Sequence, residues 1–317
     1  MVDECRLCRN QANLQRSHII PRFAVQWVKD TSLTGYLRNL TSPKRQQETR
    51  RPYLLCAACE ERLSLDERQF AQRIFIPYHS EGRTEFRYEE WMRRFLIGLL
   101  WRILAVRTAS YPCNVGYVYS AASETWRRFL LSETQDPGEY ELHVFFGDVV
   151  LDSTFALPPK ANWYFARAFD AAPGFSRAGE ALVYAKLAKI MVVAFLTPRD
   201  PQRENWQGTQ VLSIGTLRTP QTMITKGFGA FLQDRMRLLE RIPGKMTPRQ
   251  FDKLVASVEA DPSRLLSSES HRVFLADQEV RGRLQTRFRQ LPMRGSDRNR
   301  PCPCGSGRKY KRCCGGG

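Results

Sequence analysis

The spacing of apolar and polar residues predicts helices toward both ends of the chain. In Glu89–Arg107 apolar residues recur every three to four positions beside a narrow polar stripe that includes Arg102. So wide an apolar face is typical of a helix packed in a core. An earlier amphipathic helix is predicted over Glu60–Phe75. Pro77 is expected to end it, and Tyr78–Arg87 is expected to be an exposed link.

The middle of the chain favours strands, because short runs rich in β-branched and aromatic residues alternate with Gly, Pro, Asp and Ser clusters. The four runs are Leu142–Phe146, Trp163–Ala166, Ile190–Phe195 and Val211–Ile214. They predict a small antiparallel sheet, with His143 facing outward on its strand. Helical patterns return after Thr225, with helix starts predicted at Thr247-Pro248 and Asp261-Pro262. The sequence therefore predicts the α+β class.

Composition and charge narrow the class of protein further. The chain has 317 residues, and 42% of them are hydrophobic, which is enough for a sizeable core. Its most apolar run, Phe95–Val106, has 12 residues and contains Arg102, so it is too short to span a bilayer. We expect a soluble cytoplasmic protein without a signal peptide or a membrane partner. The formal charge of +17 indicates a polyanionic partner, above all nucleic acid.

Two Cys-x-x-Cys pairs near the N-terminus predict a metal site. Cys5 and Cys8 form the first pair, and Cys56 and Cys59 form the second. Such pairs aim four thiolates at one zinc ion, because each pair lies on a tight turn. The zinc would join two distant parts of the chain, and His18 lies between them. A structural zinc finger that only presents basic residues is the alternative interpretation.

The segments around His18 and around the second pair resemble the HNH endonucleases, whose fold is the ββα-metal unit. Ser17–Pro21 reads Ser-His-Ile-Ile-Pro, and Leu55–Glu60 reads Leu-Cys-Ala-Ala-Cys-Glu. The resemblance covers about the first quarter of the chain. It implies that His18 is the general base. Glu60 departs from the family pattern, but its carboxylate is a candidate ligand for Mg²⁺ or Mn²⁺. The resemblance also implies phosphate contacts from nearby arginines, which are Arg16, Arg50 and Arg51.

The C-terminal segment carries much of the positive charge and a second cysteine group. From Arg281 to Gly317 there are eleven Lys and Arg and one acid, Asp297. The spacing Cys-x-Cys, eight residues, Cys-Cys with a Gly-Ser-Gly turn closely resembles the SEC-C motif, a zinc-binding tail. That resemblance implies a second structural zinc with four ligands, Cys302, Cys304, Cys313 and Cys314. Tyr310 is expected to pack on the zinc turn in preference to stacking on a base.

Four basic residues of this tail are candidates for phosphate contacts. They are Arg308, Lys309, Lys311 and Arg312. The SEC-C resemblance also implies docking on a protein or on the ribosome. These observations predict three regions. The first, over 1–80, is an HNH-like zinc-knuckle domain with a ββα unit, and the second, over 81–290, is an α+β domain of unknown role with a small antiparallel sheet and C-terminal helices. The third, over 291–317, is a basic tether with the SEC-C zinc motif.

Two functions follow from these motifs. The first is an HNH-like, metal-dependent endonuclease that hydrolyses phosphodiester bonds, with DNA favoured over RNA. The second is an inactive adaptor that docks on nucleic acid, the ribosome or a protein through two zinc modules. Ser17 favours the adaptor, because the HNH pattern has a metal-binding Asp at that position and a His or Asn where Glu60 stands. The two differ in whether His18 is needed for more than folding.

Overall fold

The computed structural model describes residues 2–38, 45–46, 48–107, 113–147, 157–158, 160–176, 179–199, 204–221, 224–225, 227–240, 248–290, 295–302 and 308–315. The strands in these residues are β1 (Val2–Glu4), β2 (Gln11–Arg16), β3 (Leu37–Arg38), β4 (Arg45–Gln46), β5 (Tyr53–Cys56), β6 (Glu85–Tyr88), β7 (Glu141–Phe146), β8 (Phe169–Phe175), β9 (Ala181–Leu187), β10 (Ile190–Phe195), β11 (Glu204–Asn205), β12 (Gly215–Arg218) and β13 (Ile224–Thr225). The α-helices are α1 (Arg22–Asp30), α2 (Ala57–Phe70), α3 (Ile76–Ser80), α4 (Glu90–Arg107), α5 (Cys113–Leu130), α6 (Ala161–Arg167), α7 (Gly227–Glu240), α8 (Pro248–Ala260), α9 (Pro262–Ser267) and α10 (Glu269–Gln290).

The first of two units comprises Met1–Trp27, Gln47–Gly147 and Phe169–Phe231. Its largest sheet is antiparallel, with the strand order β7-β10-β9-β8. Every residue of β9 and β10 is buried, as their apolar runs require. Helix α4 packs against α2, α5 and strands β8 and β9, so it lies at the centre of this unit.

A second antiparallel sheet of the same unit carries the N-terminal motifs. Its strand order is β1-β2-β5, and β5 continues directly into α2. The register between β2 and β5 is irregular at Gln15 and Arg16, and Arg16 lies opposite Tyr53. Such an irregularity redirects side chains at the end of a ladder. It immediately precedes Ser17 and His18.

The second unit comprises Val28–Gln46, Asp148–Ala168 and Leu232–Gly317. Helix α10 packs on α6, and its Asp277 carboxylate accepts hydrogen bonds from the backbone N–H groups of Asn162 and Trp163, at 2.9 and 3.1 Å. Helix α9 has a conventional start, because the Asp261 side chain accepts from the Arg264 N–H at 3.0 Å. Two short 3₁₀ turns of the C-terminal tail, Gly295–Asn299 and Tyr310–Arg312, pack on each other.

The mixed α+β class with small antiparallel sheets is confirmed. The predicted strands over Leu142–Phe146 and Ile190–Phe195 correspond to β7 and β10. The predicted helices over Glu89–Arg107 and after Asp261 correspond to α4 and α9. Across the described residues, no helix combines the length and apolarity needed to cross a membrane. The boundaries of the three predicted regions stay a prediction.

The prediction that Pro77 ends the first helix is wrong. The helical path continues from α2 through a π-helical turn, Ala71–Phe75, into α3, where Pro77 occupies the first turn. Pro77 lies just after the π-helical turn, where the backbone already departs from the regular hydrogen-bond pattern that a proline would interrupt. The expected exposed link over Tyr78–Arg87 is accordingly limited to residues 81–84, followed by β6.

Two predicted strands are not strands. Trp163–Ala166 belongs to α6, where the Asp277 carboxylate satisfies two N–H groups at the helix start and outweighs the local preference for a strand. Val211–Ile214 is irregular, and the strand begins at Gly215. Only Val211 joins the sheet, through its N–H to the Leu142 carbonyl at 2.8 Å.

The outward orientation expected for His143 is also wrong. Its side chain is only 1% exposed, because the ring of Trp206, just after β11, packs against it with the two ring centres 5.0 Å apart. Nδ1 lies 3.0 Å from the Thr209 hydroxyl, and Nε2 lies 3.2 Å from a Glu141 carboxylate oxygen. Burial lowers the pKa of His143 to about 4.

Candidate metal centre and histidine cluster

The four N-terminal cysteines converge. Cys5 and Cys8 lie on the turn between β1 and β2, Cys56 ends β5, and Cys59 lies in the first turn of α2. Their Sγ atoms all lie within 4.8 Å of one another, and Cys8 Sγ is 3.9 Å from Cys56 Sγ. Tetrahedral zinc–sulfur bonds of about 2.3 Å place sulfur atoms about 3.8 Å apart. The group therefore fits a zinc ion, as the sequence predicts.

The backbone around Cys5 favours its thiolate, whereas burial raises the pKa of the Cys8 and Cys59 thiols. The Cys56 N–H donates to Cys5 Sγ at 3.3 Å. Burial raises the pKa of Cys5, but hydrogen bonds from the backbone of Cys8 and Cys56 outweigh that effect and lower its pKa to about 7. A turn that donates N–H groups to sulfur in this way is prepared for a metal.

A buried arginine from α5 holds the first cysteine turn in place. Arg127 Nη1 donates to the Leu7 carbonyl at 3.1 Å, between the two cysteines of the turn. The same guanidinium forms ion pairs with Glu124 at 3.0 Å and with Glu133 at 3.2 Å. Glu124 also pairs with Arg9, which directly follows Cys8. Helix α5 thus stabilises the cysteine turn without contributing a metal ligand.

His18 lies just beyond β2, beside the chain that leads into β5. The Ser17 N–H donates to the Pro52 carbonyl at 2.9 Å, and the Ile19 N–H donates to the Arg50 carbonyl at 3.5 Å. These bonds extend the β2–β5 ladder around His18, which is half-buried. Ser17 is 0% exposed, so its side chain points away from solvent.

Burial and charge set the protonation of His18. Burial is the largest influence and lowers its pKa below 6.5, and the Arg51 cation lowers it further. The carboxylates of Glu48, Glu67 and Glu60 act in the opposite direction, without reversing the shift. The imidazole is therefore neutral near pH 7, which is the form that accepts a proton.

Arg102 of α4 binds two carboxylates of α2 in this cluster. Its guanidinium is 2% exposed and lies 2.5 Å from a Glu67 oxygen and 3.7 Å from a Glu60 oxygen. Arg51 pairs with Glu48 at 2.7 Å. These two arginines therefore face three glutamates, and the exposed Arg16 and Arg50 add two positive charges nearby.

Several buried polar atoms in or next to this cluster have no hydrogen-bond partner among the described residues. They are Ser17 Oγ, Thr49 Oγ1, Arg51 Nε, Glu60 Oε1 and Arg102 Nε. Buried polar groups in folded proteins are nearly always paired with protein, water or an ion. The Ser17 and Glu60 oxygens are therefore candidates for contact with solvent or an ion.

A second cysteine group lies in the tail. The Sγ atoms of Cys302, Cys313 and Cys314 all lie within 4.8 Å of one another. Cys304, the fourth predicted ligand, lies outside the described residues. Tyr310 is 1% exposed and packs on Cys302 and Cys314, which confirms that it belongs to the core of this turn.

Most of the residues predicted to contact phosphates are exposed, and one is half-buried. Arg16 and Arg50 are exposed, whereas Arg51 is half-buried in its pair with Glu48. The four basic residues of the tail are exposed, namely Arg308, Lys309, Lys311 and Arg312. Their role in binding nucleic acid stays a prediction.

Sequence reasoning missed three residues of these sites, which are Glu67, Arg102 and Arg127. The position of Arg102 within the apolar run of α4 indicates a buried charged group. Nothing in the sequence near Arg127 indicates its role, because its partner Leu7 is 120 positions away. Long-range partners of this kind have no signature in local sequence.

Comparison with known proteins identifies the tail. Residues 298–316 match the SEC-C motif. A stretch of 119 residues is 30% identical to part of the Anaeromyxobacter sp. protein translocase subunit SecA. The aligned stretch makes up 34% of this chain and 12% of that protein. Over 73 residues the chain is 36% identical to the uncharacterized protein YecA of Escherichia coli, covering 22% of this chain and 28% of that protein. The chain thus matches only a small part of either relative, and no solved structure matches it.

The motif and the two cysteine groups together point to a zinc-binding protein. The SEC-C match accounts for the second cysteine group and for no residue before 298. The function of the N-terminal group and of His18 therefore rests on their own chemistry.

Proposed function

We propose that this protein hydrolyses phosphodiester bonds of nucleic acid at His18, in an HNH-like site supported by the N-terminal zinc centre. The observation that carries the proposal is a neutral imidazole at His18 whose pKa is influenced by the Glu60 carboxylate, together with buried oxygens of Glu60 and Ser17 that have no hydrogen-bond partner among the described residues. Solvent or an ion beside a proton acceptor is what hydrolysis requires. The order β2, β5, α2, with cysteines on either side of His18, supports a ββα-metal unit.

In this mechanism His18 accepts a proton from a water molecule that attacks the phosphorus atom. The proton leaves the water as the new P–O bond forms, the P–O bond to the leaving oxygen breaks, and that oxygen takes a proton from solvent. The lowered pKa of His18 keeps the imidazole unprotonated and ready near neutral pH. Arg16 and Arg50 would hold the flanking phosphates, because both guanidinium groups are exposed beside His18.

The residues present fit a divalent cation such as Mg²⁺ or Mn²⁺. Glu60 has one buried carboxylate oxygen without a hydrogen-bond partner among the described residues, and Ser17 has a buried hydroxyl in the same condition. Both are oxygen ligands of the type these ions prefer. When bound, such an ion would stabilise negative charge developing on the phosphate.

A second function is favoured by Arg102. Its guanidinium already lies against both Glu60 and Glu67, so it supplies a fixed positive charge where a catalytic ion would act. Together with Ser17 in place of an aspartate, this supports an adaptor that binds nucleic acid, the ribosome or a protein without hydrolysis. In that case the tail and the N-terminal zinc centre would both serve as docking modules.

A nuclease assay with the zinc-loaded protein separates the two functions. Plasmid, linear duplex and single-stranded DNA, and RNA, are each incubated with Mg²⁺, Mn²⁺ or no added metal. His18→Ala is compared with His271→Ala, a histidine of the second unit, and zinc content and melting temperature are matched. Cleavage that requires added metal and is lost only in His18→Ala supports the nuclease. If no substrate is cleaved and both variants bind nucleic acid equally, the result supports the adaptor.

A further inference from the structure

We propose that Tyr53, together with Arg16, is a stacking platform for a nucleobase, and that the nucleic acid bound at this site is single-stranded. The guanidinium carbon of Arg16 lies 5.4 Å from the centre of the Tyr53 ring. Tyr53 is 44% exposed, so its ring is not part of the core. The inference rests on the proposed function only in taking nucleic acid as the partner.

The local backbone explains why these two side chains meet at the surface. Along a regular strand, neighbouring side chains alternate between the two faces. Here Gln15 and Arg16 are both exposed, because the ladder with β5 is irregular between them. The irregularity turns Arg16 toward Tyr53, and the next residue, Ser17, is buried again.

The position of the pair ties it to the candidate site. Arg16 is two residues before His18, and Tyr53 directly follows Pro52, whose carbonyl accepts from the Ser17 N–H. Arg16 therefore directly precedes Ser17, whose buried hydroxyl has no hydrogen-bond partner within the described part of the chain. A base stacked on Tyr53 would bring its own phosphate group toward His18.

The chemistry of the pair fits a base better than a phosphate alone. An aromatic ring beneath a planar guanidinium offers flat, polarisable surfaces, and base–aromatic stacking is largely independent of sequence. Arg50, exposed on the neighbouring segment, adds a positive charge for the backbone. Bases inside a duplex are stacked on each other and cannot reach a surface ring, so the platform selects single strands or unpaired ends.

Binding measurements without cleavage test this proposal. Fluorescence anisotropy is recorded with labelled single-stranded and duplex DNA of equal length, in the His18→Ala background so that no substrate is consumed. Tyr53→Ala is compared with Tyr53→Phe, which keeps the ring, and with Tyr117→Ala, which removes a tyrosine that is 72% exposed on α5. Zinc content must be equal in all variants.

Tyr53→Ala should weaken single-strand binding about tenfold, while Tyr53→Phe and Tyr117→Ala bind as the parent does. Duplex binding should change much less. Unchanged single-strand affinity in Tyr53→Ala, an equal loss on duplex, or no binding by the parent would each overturn the platform. Cleavage is scored separately with native His18, so absence of nuclease activity would not affect a Tyr53 result.

Discussion

His18 keeps a neutral imidazole near pH 7 because burial disfavours its cation, and the Arg51 charge adds to that effect. The neighbouring carboxylates limit the shift without cancelling it. The unfolded chain therefore binds a proton at His18 more tightly than the folded protein does. The neutral imidazole therefore contributes fully to the stability of the folded state above pH 6.5. This contribution is lost as the pH falls through the lower pKa that His18 has in the folded protein.

The first prediction concerns this titration and does not depend on catalysis. NMR titration of the His18 ring should give a pKa below 6.5, because of its burial. Arg51→Gln should raise that pKa, since it removes the cation, whereas Glu48→Gln should lower it, since it removes a carboxylate. If a nuclease is found, its rate should rise with pH around the same midpoint. A pKa above 6.5, or shifts of the opposite sign, would contradict this electrostatic account.

Arg127 carries the second prediction, because it holds the Leu7 carbonyl between two zinc ligands. Arg127→Met keeps much of the side-chain volume but removes the hydrogen bond and both ion pairs. Loss of a charged hydrogen bond to a buried carbonyl costs about 2 kcal/mol. The variant should therefore release zinc to a chromogenic chelator about tenfold faster or more, and should melt at a lower temperature.

Arg128→Met is the matched control for this experiment. Arg128 is the next residue of α5, and its side chain is 55% exposed. It should release zinc at the rate of the parent. Equal rates in Arg127→Met and the parent would show that the turn holds its geometry without α5.

At the scale of elements, local sequence was enough where partners are close along the chain. The Cys-x-x-Cys turns, the Asp261-Pro262 helix start and the apolar face of α4 are of this kind. Prediction from local sequence failed where a contact with a residue far along the chain determines the structure. The local sequence of α6 predicts a strand. The segment forms a helix whose first N–H groups are capped by the Asp277 carboxylate, more than a hundred residues later in the chain.

The His18 cluster shows the same limit. Its histidine and Glu60 could be proposed from the HNH pattern, but Arg102 neutralises Glu60 from another helix. An arginine within an apolar helix indicates a buried ion pair without saying which carboxylates it binds. Three-dimensional packing was needed to bring α4 and α2 together at His18.

The Asp277 cap gives the third prediction. Burial raises the pKa of Asp277 to about 6 from 3.8, although its two N–H donors act in the opposite direction. Because the folded pKa is raised, the unfolded state loses its proton first, and stability falls as the pH rises from about 4 to 6. Relative to Asp277→Asn, which does not titrate there, the unfolding free energy should drop by up to about 3 kcal/mol. Urea denaturation at pH 4 to 7 measures it, and a constant difference would contradict the shift.

At the scale of the whole molecule, the two cysteine groups and the basic tail set the properties of the chain. The formal charge is +17, counted with neutral cysteines. Each zinc bound by four thiolates contributes about −2, so two filled sites leave about +13. The SEC-C match covers one of the two groups. Loss of either metal should therefore affect a different part of the protein.

The fourth prediction is that the purified protein holds two zinc ions per chain. Native mass spectrometry should show one ion lost in Cys56→Ser and one in Cys313→Ser, since each substitution removes a thiolate from one group. Cys56→Ser should also lower the melting temperature more, because that site joins segments 48 positions apart. Replacing the unassigned cysteine, Cys113→Ser, should leave both ions in place. Two ions retained in Cys313→Ser would mean that the tail does not bind zinc.

The fifth prediction concerns the exposed basic residues of the tail, which would bind phosphates through charge alone. Four substitutions to Gln, at Arg308, Lys309, Lys311 and Arg312, remove four positive charges near the zinc turn. If these residues contact nucleic acid, the slope of log affinity against log salt should decrease by up to about 3, because each phosphate contact contributes roughly 0.7 to 0.9.

The control for the tail variant changes the net charge equally at four exposed arginines that already pair with carboxylates, namely Arg83, Arg87, Arg218 and Arg237. A change in net charge alone would weaken binding in both variants by long-range attraction, which salt screens. Direct contact would reduce the slope further in the tail variant only. Equal slopes in the two variants would mean that these four residues do not contact phosphates directly.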